Sequence, residues 1–215
     1  MTSRAFDVAG QQPASRRRTE DRSLSKTSAN KQSFNVRMQI HTQSGPVRIV
    51  NEPAYSFGSH DNVRTYPLEV RLSDGTLTSV HAVELNGLGV VVVGASGGCS
   101  AVHEHSAVAI KDKLYLAVGD HVVCLSLDFP HRLVWATQVD TATCFGIFWE
   151  GKRAALISHG ELEIVRLTPQ GDVIWSASGA DVFSEGFSLL SDCIEVVDFN
   201  RTTYRLDYTT GEAIV

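Results

Sequence analysis

A chain of 215 residues, 43% of them hydrophobic, is long enough for one domain with a sizeable core. Its net charge of −5 is unevenly held: residues 1–33 carry seven Lys/Arg and three Asp/Glu, leaving twelve and twenty-one, a net −9, for the remainder. An acidic body repels phosphate backbones, so nucleic-acid binding by the folded part is not expected, and no apolar run reaches the roughly 18 residues of a membrane span.

Residues 1–33 are rich in Ser, Thr and Gln and lack hydrophobic periodicity. Too little apolar surface is present to offset the entropy of ordering, so a disordered basic tail is expected. Arg16-Arg17-Arg18 is not followed by an apolar stretch of about 7–15 residues, so it is not read as a secretory signal. Residues 34–65 hold two strand-like stretches, FNVRMQIH and PVRIVNE, read as part of a further sheet or as a closing segment.

From residue 66 onward the chain is strand after strand. YPLEVRL, TSVHAVEL and GVVVVGA come first, turning at Asn86-Gly87. Gly94-Ala95-Ser96-Gly97-Gly98 then satisfies G-x-S-x-G, the pattern of a nucleophile elbow with Ser96 as nucleophile. That elbow needs a helix after it and alternating βα units; only strands follow, so the segment is read as a connecting loop. His103-Glu104-His105 comes next. In an extended segment its two imidazoles share a face, which gives His103 and His105 the start of a divalent-metal site if a third ligand converges. No other cofactor is expected.

SAVAI, KLYLAVG, HVVCLSL and RLVWATQV follow, turning at Lys111-Asp112-Lys113, Gly119-Asp120 and Asp128-Phe129-Pro130-His131. GIFW, AALISH, ELEIVRL and VIWSASG repeat the order, turning at His159-Gly160 and at Thr168-Pro169-Gln170-Gly171. FSLLS, IEVVDF, TTYRLDY and EAIV repeat it again, turning at Phe199-Asn200 and Thr209-Thr210-Gly211. Trp135, Trp175 and Val215 follow one another at a constant step of forty positions, as do Gly171 and Gly211, and Ser106, Gly146 and Gly186. A fixed step of this size marks a repeat architecture. Four strands in each repeat leave no room for a helix, and runs such as LYLAV and IEVV are apolar at consecutive positions, as strands buried on both faces are. The fold expected is therefore all-β: a propeller-like array of about four four-stranded antiparallel blades, at 66–105, 106–145, 146–185 and 186–215. The two tryptophans are expected to pack between blades, and Gly171 and Gly211 to hold a positive φ.

RLTPQGDVIW (166–175) and YRLDYTTGEAIV (204–215) resemble the blade repeat of quinoprotein-type β-propellers, through Leu206, Asp207, Thr210 and Gly211 in one copy and Gly171 with Trp175 in the other. Val215 stands where the pattern has Trp, and Phe129-Pro130-His131 has no Thr-Gly. The resemblance implies fold more than function and supplies no quinone ligands. Its geometry implies that loops leading into the innermost strands share one face with the turns between second and third strands. That gathers His103, Glu104, His105, Asp120, His121, Cys144, His159, Glu185 and Asn200 around one mouth. Two functions are carried forward: a non-catalytic module that binds a protein or small ligand through this face, and a metal-dependent enzyme or binder using the histidines. Open array ends point to a protein partner or self-association. Cys99, Cys124, Cys144 and Cys193 form no CxxC pair, so free thiols in a reducing cytoplasm are expected.

Overall fold

The computed structural model describes residues 37–214. The tail expected at 1–33 lies outside the described residues, as do positions 34–36 and Val215. Sixteen strands and no helix make up the described chain. The first sheet contains β1 (Arg37–Thr42), β2 (Gly45–Asn51), β3 (Leu68–Arg71), β4 (Ser79–Leu85) and β5 (Leu88–Ala95), in the order β1-β2-β4-β5-β3. The second runs through β6 (Ala107–Ile110), β7 (Lys113–Val118), β8 (His121–Ser126) and β9 (Leu133–Gln138), and the third through β10 (Cys144–Glu150), β11 (Ala155–Gly160), β12 (Glu163–Leu167) and β13 (Val173–Ser178). The fourth holds β14 (Gly186–Leu189), β15 (Cys193–Val197) and β16 (Thr203–Asp207).

These are successive propeller-like blades, with three departures from the expected layout. The stretches at 34–65 join the first sheet as its first two strands, β1 and β2, and add no sheet of their own. YPLEVRL does not open that blade: it supplies β3, which lies at the far edge and pairs parallel to β5. The segment between Asn51 and Leu68 carries the chain from β2 across the sheet to this edge, and the parallel pair β3 and β5 is joined through β4. At the other end EAIV forms no fourth strand among the described residues; it contributes one bridge, Leu206 to Ala213, and a hydrogen bond from the Ile214 amide to the Arg205 carbonyl.

Each of the first three blades is apolar on both faces because each is covered twice. Leu114, Leu116, Val118, Val123 and Leu125 pack on Val47, Ile49, Val83, Val91 and Val93 of the first sheet. The opposite face of the second sheet sets Tyr115, Ala117, Val122 and Cys124 against Ile147, Leu156, Val165 and Leu167. Ala155, Ile157 and Ile164 then meet Ile194, Val196 and Leu206. Full burial of a side chain of this kind stabilises by roughly 1.5–3 kcal/mol, so these three interfaces hold the array together.

A recurring clasp reinforces the later interfaces. Trp135 Nε1 donates to the Pro169 carbonyl at 3.0 Å, and Trp175 Nε1 donates to the Tyr208 carbonyl at 2.9 Å. Each indole lies over the glycine of the next blade's last turn: a Cβ on Gly171 would sit 2.6 Å from the Trp135 ring, and one on Gly211 would sit 2.6 Å from the Trp175 ring. Both glycines have positive φ, 96° and 73°.

The two ends of the array are finished differently. The outer face of the first sheet, Val50, Val80, Ala82 and Val92, is covered by Tyr66 with Tyr55, Phe57 and Leu77, all from the insertion between β2 and β4. On the fourth sheet, the strand positions that face onward carry Glu195, Arg205 and Asp207 beside the buried Cys193. Glu195 and Arg205 pair across this face at 3.1 Å. Tyr66→Ala strips the aromatic lid from the first sheet and is expected to destabilise by about 3 kcal/mol, measured by urea unfolding. The same change at the less buried Tyr55 is expected to cost less than half of that.

Candidate functional site

The face that gathers the loops is built by backbone hydrogen bonds between neighbouring blades. The Asp120 amide donates to the Ser96 carbonyl, the Cys144 amide to Gly119, the Glu161 amide to Thr143, and the Phe199 amide to Val182. Each bond ties the turn between a blade's second and third strands to a connection between blades, so these two kinds of loop lie side by side. Asp140 braces the same junction: Oδ1 accepts from the Ala142 amide at 2.6 Å, and Oδ2 from the Leu162 and Glu163 amides at 2.8 and 3.0 Å. Ser100, one repeat step earlier, does the same for the preceding turn, its hydroxyl accepting from the Gly119 amide at 3.1 Å. Sequence reasoning missed both, although the repeat step pairs them.

The nine residues singled out from sequence separate into four groups. Asp120 is buried; Oδ1 lies 2.7 Å from His121 Nδ1, and Oδ2 accepts from Gln138 Nε2 at 3.1 Å. Glu185 and Asn200 are exposed, the former taking the Ser184 hydroxyl and the latter donating to Asp181 Oδ2 at 2.7 Å. Cys144 leaves the mouth: fully buried between the second and third sheets, it has a thiol whose pKa burial pushes well above the ordinary range, and it is part of the core. The exposed loop 103–105 and His159 do come together.

They meet through phenylalanines that the sequence did not mark. Phe145 meets His159 edge-on at 5.4 Å, His159 stacks on Phe187 at 4.6 Å and 14°, Phe187 contacts Phe148 at 4.5 Å, and Phe148 contacts His105 at 4.6 Å. His103 ends the file, 6.0 Å from His105. The six rings come from the loop at 103–105, from β10 and β11, and from β14. A register shift between Cys144 and Gly146 sets which side chains of β10 face inward, and sequence alternation does not display it. Stacked and edge-on rings at these spacings each add about 0.5–1.5 kcal/mol beyond burial.

Three of the ring nitrogens are held by backbone. His103 Nε2 donates to the Phe145 carbonyl, and its Nδ1 accepts from the His105 amide at 3.2 Å, which uses both nitrogens of a neutral imidazole. His159 Nε2 donates to the Phe183 carbonyl at 3.1 Å. Burial lowers its pKa to about 4, helped by the nearby His103 and His105, so it is neutral at pH 7. A metal at His103 or at His159 Nε2 would have to displace these bonds. Among the described residues no three His, Cys, Asp or Glu side chains converge on one point. Ser96 follows β5, but no helix follows it, so the strand–turn–helix that an elbow needs is not formed.

The four cysteines are free thiols, three of them buried, and no helix among the described residues is long and apolar enough to cross a membrane. No protein-family model matches the chain. No curated protein matches it either. Among solved structures, the computationally designed Ika8 protein aligns with a TM-score of 0.47 at 9% identity, over 83% of this chain and 60% of that one. The glutaminyl cyclase of Myxococcus xanthus aligns with a TM-score of 0.37 at 10% identity, over 82% of this chain and 67% of that one. The chain thus spans less than two thirds of the designed protein, and its function is read from its own residues.

Proposed function

We propose that this protein is a non-catalytic propeller-like binding or assembly module, and that it recognises a protein or small ligand through the aromatic and imidazole file on its loop face. The observation that carries the reading is the file itself: six half-buried or exposed rings in contact, with both nitrogens of His103 and Nε2 of His159 held by backbone. Such a surface offers flat apolar area and few fixed polar demands, which suits an aromatic anchor from a protein partner. The blades are read as quinoprotein-type. What supports this is the pairing of Trp135 with Gly171 and Trp175 with Gly211, which includes Gly171, Trp175 and Gly211 of the sequence resemblance.

Indole and p-cresol, stand-ins for Trp and Tyr side chains, test the site by NMR titration. Shift changes are expected to cluster on Phe148, Phe187 and His105, and Phe148→Ala with Phe187→Ala to weaken them about tenfold or more. Stoichiometric zinc binding lost in His105→Ala would overturn the reading in favour of the metal-dependent alternative.

A further inference from the structure

The last full strand of each of the first three blades shares one defect in one place. In β5 the pairing with β4 steps from Glu84↔Gly89 to Val83↔Val91, leaving Val90 as the extra residue. In β9 it steps from Leu125↔Leu133 to Cys124↔Trp135, leaving Val134, and in β13 from Leu167↔Val173 to Arg166↔Trp175, leaving Ile174. Three equivalent bulges therefore give three outer edges the same local bend.

Only the first of these edges is occupied. β3 lies along β5 in parallel register, beginning with Leu68↔Val91, immediately beyond the bulge, and ending with Arg71↔Gly94. Val90 is buried there, whereas its counterparts Val134 and Ile174 are 40% and 47% exposed. Among the described residues nothing pairs with the outer edges of β9 and β13. Their solvent-facing rows, Val134, Ala136 and Gln138 on one and Ile174, Ser176 and Ser178 on the other, hold no charge and no proline. An open edge without such guards is a template for another strand. The fourth blade, by contrast, carries Arg205 and Asp207 on β16 and bridges that strand to its own Ala213.

We propose that the outer edges of β9 and β13 are docking sites for an extended segment of a partner protein. That segment, with apolar and polar residues alternating as in Leu68–Arg71, adds as a parallel strand across Trp135–Gln138 or Trp175–Ser178, as β3 does across Val91–Gly94. This site is separate from the aromatic file and stands without it. Main-chain bonds supply affinity, and alternate side chains supply selectivity.

The test uses the full chain and a synthetic peptide of residues 66–73, YPLEVRLS, at about 1 mM, a concentration suited to weak binding. Hydrogen exchange is expected to slow at Trp135–Gln138, at Trp175–Ser178 or at both, and the slowing is expected to vanish edge by edge in Ala136→Lys and Ser176→Lys. Both positions are exposed, and unfolding midpoints check that each variant keeps its fold. Three results would overturn the proposal: no slowing at either edge; slowing confined to Val91–Gly94, which means the peptide has replaced β3; or a dimer in sedimentation that both lysine variants disrupt, which assigns the edges to a second copy of this chain. None of these outcomes alters the indole titration of the aromatic file.

Discussion

Gly171→Ala and Gly211→Ala are each expected to lower stability by about 2–4 kcal/mol, and the midpoint of thermal unfolding by about 5–15 °C. Two independent costs add at each site. A Cβ at φ of 96° or 73° is strained in itself, and the same atom would press to within 2.6 Å of the Trp135 or Trp175 ring, lifting the indole off its turn. The hydrogen bonds to the Pro169 and Tyr208 carbonyls would stretch with it. A double-mutant cycle separates the two costs: with Trp135→Ala already present, Gly171→Ala retains the backbone strain and loses the clash, so its cost is expected to fall by about half. Strict additivity would show that the indole and the glycine do not act as a clasp. The first interface has no such pair, since the position after the bulge that Trp135 and Trp175 occupy holds Val91 in β5, and one repeat step before Gly171 stands His131. It relies on aliphatic packing alone, and the variants are therefore expected to loosen the third and fourth blades while hydrogen exchange in the first two is unchanged.

The clasp is legible in the sequence because it depends on residue types that have few other uses at that spacing: two tryptophans and two glycines, each pair separated by one repeat step. The same step locates the turn residues of the loop face. It does not reveal the make-up of the first blade, because the insertion between β2 and β4 breaks the period and sends YPLEVRL to an outer edge. Nor does it reveal the file of rings. Phe148 and Phe187 sit in apolar runs where core and site look alike, and their direction is set by the bulge near Cys144 and by contacts from loops distant in sequence. Cys144 is misplaced by the repeat for the same reason: position in the repeat gives the loop to which a residue belongs, whereas the local register decides whether its side chain faces the mouth or the core. From the sequence the array ends also look like open surfaces in need of a partner. An aromatic lid covers the first sheet's outer face, and the Glu195–Arg205 pair lies on the fourth.

Stability is expected to fall steeply as the pH drops from 6.5 towards 4, and His81 and His159 are the cause. His81 is fully buried within the first sheet, its Nε2 at 3.3 Å from the Ser100 carbonyl, and burial lowers its pKa from 6.5 to about 4; His159 is lowered to about 4 in the same way. Both are neutral in the fold at about pH 6 and partly protonated in the unfolded chain. The unfolded state therefore binds more protons across this window, and unfolding becomes easier as the pH falls. Lowering a pKa by one corresponds to about 1.4 kcal/mol, so each histidine removes about 3 kcal/mol once the pH is below about 4. The carboxylate of Asp207, held below its ordinary range by the amides of Thr210 and Thr209, acts at lower pH and does not shape this slope. Urea unfolding at half-unit steps from about pH 7.5 to about 4 measures it. His159→Phe preserves the stack on Phe187 and is expected to remove roughly half of the slope, and His81→Leu the other half, at some cost in stability at neutral pH. A slope unchanged in the double variant would transfer the acid sensitivity to other groups. Because His159 lies within the file of rings, its protonation places a cation between Phe145 and Phe187, so the binding face is expected to loosen over the same interval in which the fold weakens.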